Sequence, residues 1–289
     1  MRQYRHTDSA VTARLPRFVS NPVAKFQESG TCRKKPTPRH FQQCYRYGMT
    51  ASAPPLPASK RLKIWDISPA VDEHAAVFPG DTAYSQQLHF SLSPDCPLNV
   101  NRITLSPHTG AHADAPMHYA SGEASVGELD LAPYLGTCRV IHCIGCGPLV
   151  LPEHIAHALH DLPPRVLLRT ARTASQSWAS FTAIAPETLA QLATKCIALI
   201  GIDTPSVDPA DSQDLPSHHQ LLAHGLRVLE NLVLDDVPEG DYELIALPLK
   251  LMRADASPVR AILRELPRQG AILRELAPHP HPLPNGARE

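Results

Sequence analysis

The chain has 289 residues, 43% of them hydrophobic, which is enough for one large domain or two small ones. Its 27 Lys/Arg nearly balance its 28 Asp/Glu, but residues 1–63 hold 13 of the basic residues and only two acidic ones, Asp8 and Glu28; the remainder is acidic and offers no nucleic-acid surface. No window reaches the roughly 18 consecutive apolar residues that a membrane helix requires, which excludes a helical span.

Residues 1–61 form a basic extension with no sustained apolar period, containing Arg33-Lys34-Lys35 and Ala53-Pro54-Pro55-Leu56-Pro57. Such composition predicts disorder, with Met49 as an alternative start of translation. No apolar stretch follows the charged beginning as in a secretory signal, although arginine-rich, acid-poor composition also suits an organellar transit peptide. Ordered structure is expected from residue 62, with a strand over 63–67 and a turn at Val77-Phe78-Pro79-Gly80-Asp81. A strand over 99–106 alternates, with Ile103 and Leu105 on one face and Arg102 and Thr104 on the other, and leads into His108-Thr109-Gly110-Ala111-His112-Ala113-Asp114-Ala115-Pro116-Met117-His118.

Pro107, Gly110 and Pro116 oppose a helix in this segment. In an extended chain, side chains alternate faces, so His108, His112 and Asp114 share one face with Gly110 as a spacer. Two imidazoles and a carboxylate converging on one point suit a metal, and His118, just past a proline, is placed for proton transfer.

Further strands are expected over 138–144, 166–169, 197–202, 227–234 and 242–248, and helices over 152–160 and 186–194. Strands mixed with helices predict a single α/β domain over 62–277, followed by a loose proline-rich tail over 278–289. Ala261–Leu266 and 271–276 repeat the six residues AILREL, too short a duplication to define a repeat fold. Seven cysteines at irregular spacing form no secreted disulfide framework, and Cys143-Ile144-Gly145-Cys146 is a lone C-x-x-C, so a reducing, cytoplasmic compartment is expected.

A catalytic metal generally needs three or more protein ligands. The candidates for the rest of the shell lie in 217–232: His218, His219 and His224 on a short helix that Gly225 ends as a left-handed cap, and Glu230 in the apolar strand beyond. On one continuous helix, His218 and Glu230 would stand about 18 Å apart; the break at Gly225 is what brings them together. Glu230, among Val228, Leu229, Leu232 and Val233, is costly unless paired or metal-bound. Spacing does not choose among the three histidines. Asp203 and Asp208, in a proline-bearing loop, read as turn formers. No G-x-S-x-G motif supports a serine hydrolase.

The segment His108–His118 resembles the H-x-G-x-H-x-D-x-P-x-H signature of the cyclase-like metal hydrolases, as do the stretches 201–209 and 255–260. Within that family, 105–112, 235–238 and 242–250 are most similar to the bacterial kynurenine formamidases. The resemblance covers roughly residues 62–266. It implies a β-rich α/β core of the swivelling β/β/α type with a mixed sheet, usually in a homodimer or larger homo-oligomer. It also implies a two-zinc site, with manganese as the other metal such folds take. By position, His108, His112, Asp114, His218 and Glu230 are its ligands, with Asp114 bridging, and His118 transfers protons. The family's aromatic contact before Pro-Gly-Asp is typically tryptophan; here it is Phe78, which keeps a stacking face but lacks an indole N–H. The implied reaction is hydrolysis of an aryl formamide, N-formyl-L-kynurenine, to L-kynurenine and formate. The alternatives are a related hydrolase of isatin-like cyclic amides and a non-catalytic metal-binding module.

Overall fold

In the computed structural model, which describes residues 62–267, the apolar runs form a long sheet and the helices cover it. The expected boundaries at 61/62 and 277/278, Met49 and the second AILREL copy lie outside the described residues. Strand β1 (Ile64–Asp66) leads through the Pro79-Gly80 turn to a hairpin of β2 (Ser85–Phe90) and β3 (Val100–Thr104). Then come β4 (His112–Asp114), β5 (Leu135–His142), β6 (Leu149–Val150) and the one-turn helix α1 (Pro152–Ile155). Strands β7 (Arg165–Arg169) and β8 (Ala183–Ile184) precede helix α2 (Pro186–Ala193), β9 (Leu199–Ile202), helix α3 (Pro216–His224) and β10 (Arg227–Glu230). The described chain closes with β11 (Gly240–Ile245), β12 (Ala256–Pro258) and β13 (Ile262–Glu265).

Nine strands form one mixed sheet in the order β1-β13-β11-β5-β7-β9-β10-β4-β12. Its centre, β5-β7-β9-β10, is parallel, and both wings are antiparallel. The parallel strands are apolar on both faces, as burial beneath two layers requires. Val166, Leu168, Ile200, Ile202 and Val228 pack with Leu189 and Leu192 of α2 and Leu221 of α3. Leu167, Leu199 and Leu229 point the other way, into a second core with Ile67, Tyr134, Leu244 and Leu263.

The differences from the sequence reading have local causes. Strand β10 stops at Glu230 because Asn231 turns into the left-handed region, φ +57°. Residues 152–160 form one α-turn and then a 3-10 turn rather than one helix. Ile103, on the apolar face of the alternating strand, is 53% exposed, because among the described residues β2 and β3 pair only with each other.

Candidate metal centre and active site

Strand pairing builds the site first. In the antiparallel register of β4 and β10, His112 faces Glu230 and Asp114 faces Val228, so His112, Asp114 and Glu230 share one face of the sheet. Their neighbours Ala113 and Leu229 point into the opposite core. His112 Nε2 stands 3.3 Å from Asp114 Oδ1 and 3.3 Å from Glu230 Oε2.

His108 arrives differently from the expected extended face. It lies in a turn before β4, and Gly110 holds φ +68°, where a Cβ would meet Val71 Cγ2 at 2.7 Å. Gly110 is therefore needed for the turn itself rather than as a spacer. The turn still swings His108 Nδ1 to 3.0 Å from Asp114 Oδ1.

Helix α3 brings His218 to these carboxylates, whereas His219 and His224 are exposed. Gly225, at φ +65°, caps the helix, and the chain reverses into β10, placing His218 Nε2 3.5 Å from Asp114 Oδ2 and 3.7 Å from Glu230 Oε1. The N-terminus of α3 is held by Asp208, whose carboxylate accepts the backbone N–H groups of Ser217 (2.9 Å) and His218 (3.0 Å). The same carboxylate lies 2.7 Å from His218 Nδ1, which directs Nε2 at the other carboxylates. Asp208, read from sequence as a turn former, thus orients the site; its partners lie nine and ten residues away, beyond any local pattern.

Asp255 is a second residue that periodicity does not find. Its Oδ2 lies 3.1 Å from His108 Nε2 and 3.3 Å from His118 Nδ1, and its backbone carbonyl accepts Ala115 N–H beside β4. The His118 ring stands 4.3 Å from that of His108, so His118 is within the cluster. His108, Asp114 and His118 form one group with ligand atoms close enough to share an ion; His112, Asp114 and Glu230 form another.

The buried charges perturb one another. Burial alone would lower the His112 ring, but the Asp114 and Glu230 carboxylates outweigh it and hold the ring up at about 10. His218 is likewise raised to about 10, and His108 to about 9, by their carboxylate partners against burial. Burial opposes ionisation of Asp114, yet the His108 and His112 rings bring its carboxyl well below the usual range.

The residues fit a metal. Both Asp114 oxygens and His218 Nε2 are buried without a hydrogen-bond partner, although ring nitrogens or carboxylates stand 3.0–3.7 Å away. Lone pairs converging on a shared space rather than pairing in N–H···O lines are what a cation satisfies.

A cavity of about 280 Å³ opens onto these groups and is walled on its apolar side by Phe78 and Trp178. The two rings meet edge-to-face at 5.0 Å, and Phe181 braces Trp178 at 5.7 Å. Trp178 was not singled out by sequence; it restores an indole to a pocket whose Pro-Gly-Asp neighbour is phenylalanine. Trp65 instead packs against Tyr242 away from the cavity and donates its N–H to Asp236 O.

The family profile described as "Putative cyclase" matches residues 56–209, more than half of the chain. The chain belongs to the cyclase family. Among its curated cyclase relatives, the chain is 84% identical over 209 residues to a protein of Polaromonas naphthalenivorans named "Kynurenine formamidase", covering 72% of this chain and 94% of that one. It is 65% identical over 206 residues to a Bordetella pertussis protein of the same name, covering 71% and 99%. A solved structure titled as a potential metal-dependent hydrolase with cyclase activity superposes with a TM-score of 0.62 at 27% identity, covering 71% and 99%. Isatin hydrolase A from Labrenzia aggregata superposes with a TM-score of 0.61 at 25% identity, covering 71% and 94%. The curled mixed sheet of this chain is thus the cyclase-family fold, as the sequence reading expected.

Proposed function

We propose that this cyclase-family chain is a metal-dependent arylformamidase that hydrolyses N-formyl-L-kynurenine to L-kynurenine and formate, a step of tryptophan degradation. The observation that carries the reading is the orphaned, buried Asp114 carboxylate among His108, His112 and His218, three histidines that line a cavity with an aromatic wall, in a chain 84% identical to a kynurenine formamidase.

His108, His112, Asp114, His218 and Glu230 are the residues that would hold the metal. Once the imidazoles give up their protons to act as ligands, Asp114, Glu230, Asp208 and Asp255 together carry four negative charges, which two divalent ions would neutralise. Imidazole with carboxylate suits zinc, and manganese is the alternative. Bound there, such ions would supply hydroxide at neutral pH and polarise a carbonyl.

The remaining work falls to side chains. Phe78 and Trp178 hold the aryl ring. His118, steadied at Nδ1 by Asp255, presents Nε2 to the amide nitrogen and gives it a proton, so that arylamine rather than its anion departs. The formyl carbon bears only hydrogen besides nitrogen and oxygen, so attack on it is uncrowded.

A homodimer or larger homo-oligomer accords with the hairpin, which exposes Leu88, Phe90, Leu98, Val100 and Ile103. No helix among the described residues is long and apolar enough to cross a membrane. Free thiols at Cys96, Cys138, Cys143, Cys146 and Cys196 accord with a reducing cytoplasm. Residues 62–277 are taken as the catalytic domain.

Formate release from N-formyl-L-kynurenine, run beside ring-opening of isatin, tests the reading. Preferential turnover of the formamide is expected; preferential turnover of isatin would move the assignment to the cyclic-amide hydrolases.

A further inference from the structure

The substrate read above ends in an α-amino acid, whose ammonium and carboxylate extend from the aryl ketone. The cavity treats those two charges unequally. Among the described residues no lysine or arginine lines it, but Asp81 does, alongside the aromatic wall. Asp81 is fixed relative to that wall by a tight turn. Its N–H donates to the Phe78 carbonyl at 2.9 Å, with Pro79 and Gly80 between them and Gly80 at φ +93°. These are the first and second central positions of a type II turn, which brings its end residues within about 7 Å of each other. One Asp81 oxygen, Oδ1, accepts the Thr82 N–H at 2.6 Å, which steadies the carboxylate and leaves Oδ2 without a protein partner among the described residues. Trp178 packs edge-to-face on Phe78, so one tight turn joins the carboxylate to the aryl-binding wall.

We propose that Asp81 is the recognition site for the substrate's α-ammonium group, and that the substrate carboxylate is left to solvent. The enzyme thereby selects aryl formamides that carry an alkylammonium chain, whether or not a carboxylate accompanies it. This rests on the arylformamidase reading. An aryl ring held against Phe78 places the ammonium, a ketone and two carbons away, within reach of a carboxylate one turn along. An anion at the same place would meet the Asp81 carboxylate with no described lysine or arginine side chain in the lining to offset it, and like charges repel.

The test uses the metal-loaded full chain and three formamides: N-formyl-L-kynurenine, its decarboxylated analogue with the ammonium retained, and its deaminated analogue with the carboxylate retained. The decarboxylated compound is expected to keep its kcat/KM within about three-fold, whereas the deaminated one loses about five-fold or more through KM, the scale of one partly exposed ion pair. In D81N the preference for the decarboxylated over the deaminated compound falls about five-fold. Equal loss on removing either charge, or an unchanged preference in D81N, would overturn the proposal while leaving the formamidase reading intact. No turnover of any of the three would overturn both.

Discussion

Replacing Asp208 by asparagine tests how the site is held, because one carboxylate accepts three donors: Ser217 N–H, His218 N–H and His218 Nδ1–H. Asparagine offers one acceptor oxygen. If that oxygen stays on Ser217 N–H, its amide confronts both His218 N–H and His218 Nδ1–H, donor against donor. The imidazole relieves this by moving its proton to Nε2, the atom that faces Asp114 and Glu230. A protonated Nε2 cannot be a ligand. Loss of such an outer partner typically costs about 10–100-fold in metal affinity, or roughly 1.4–2.7 kcal/mol. If the amide turns the other way, Ser217 N–H alone loses its acceptor, at about 1–3 kcal/mol, which lowers the melting temperature by roughly 2–10 °C for a domain of this size. Competition with a chromophoric chelator measures the first cost, and thermal unfolding of metal-free protein measures the second. A D208N protein within about two-fold of wild-type affinity and with an unchanged melting temperature would refute the orienting role.

His118→Ala should retain its metal and lose about 10²–10⁴-fold in kcat, read by metal analysis beside steady-state kinetics; loss of metal instead would make His118 a ligand. In metal-free protein, His108, His112 and His218 hold protons up to about 9–10, against an ordinary value of 6.5. The folded state then binds more protons than the unfolded one, so the stability these contacts contribute is complete below about pH 6.5 and is lost as pH rises through 9–10. Denaturant midpoints of chelator-treated protein at pH 6 and pH 10 check the sign, and a higher midpoint at pH 10 contradicts it. Charging the hairpin with Ile103→Glu should shift the assembly toward monomer in light scattering with little effect on the melting temperature, since that side chain is 53% exposed; an unchanged mass would remove the hairpin from the interface.

The parts of the site legible in sequence are those set by local periodicity. Two-residue alternation put His112 and Asp114 on one face, and the Gly225 cap explained how His218 and Glu230 meet. Burial of Glu230 among apolar residues marked it as a paired charge. His108 reached the same cluster by a turn that alternation cannot describe, because Gly110 leaves the extended region. Asp208, Asp255 and Trp178 were not legible from pattern. Asp208 binds across ten residues and Asp255 across 147. Long-range hydrogen bonds leave no period in the chain. Strand ends failed for a related reason: Asn231 tolerates the left-handed turn that stops β10, while its apolar successors Leu232, Val233 and Leu234 continue the strand pattern. The exposure of Ile103 follows from pairing, which composition does not record.

Whether the His–carboxylate cluster is a metal centre for aryl formamide hydrolysis is decided by one titration. Chelator-stripped protein is assayed on N-formyl-L-kynurenine while zinc is added back, with bound metal measured in the same samples. No turnover is expected without metal, and activity should rise with occupancy to saturation near two ions per chain. Turnover in fully stripped protein, or a folded and metal-loaded protein that leaves the substrate intact, would contradict that assignment.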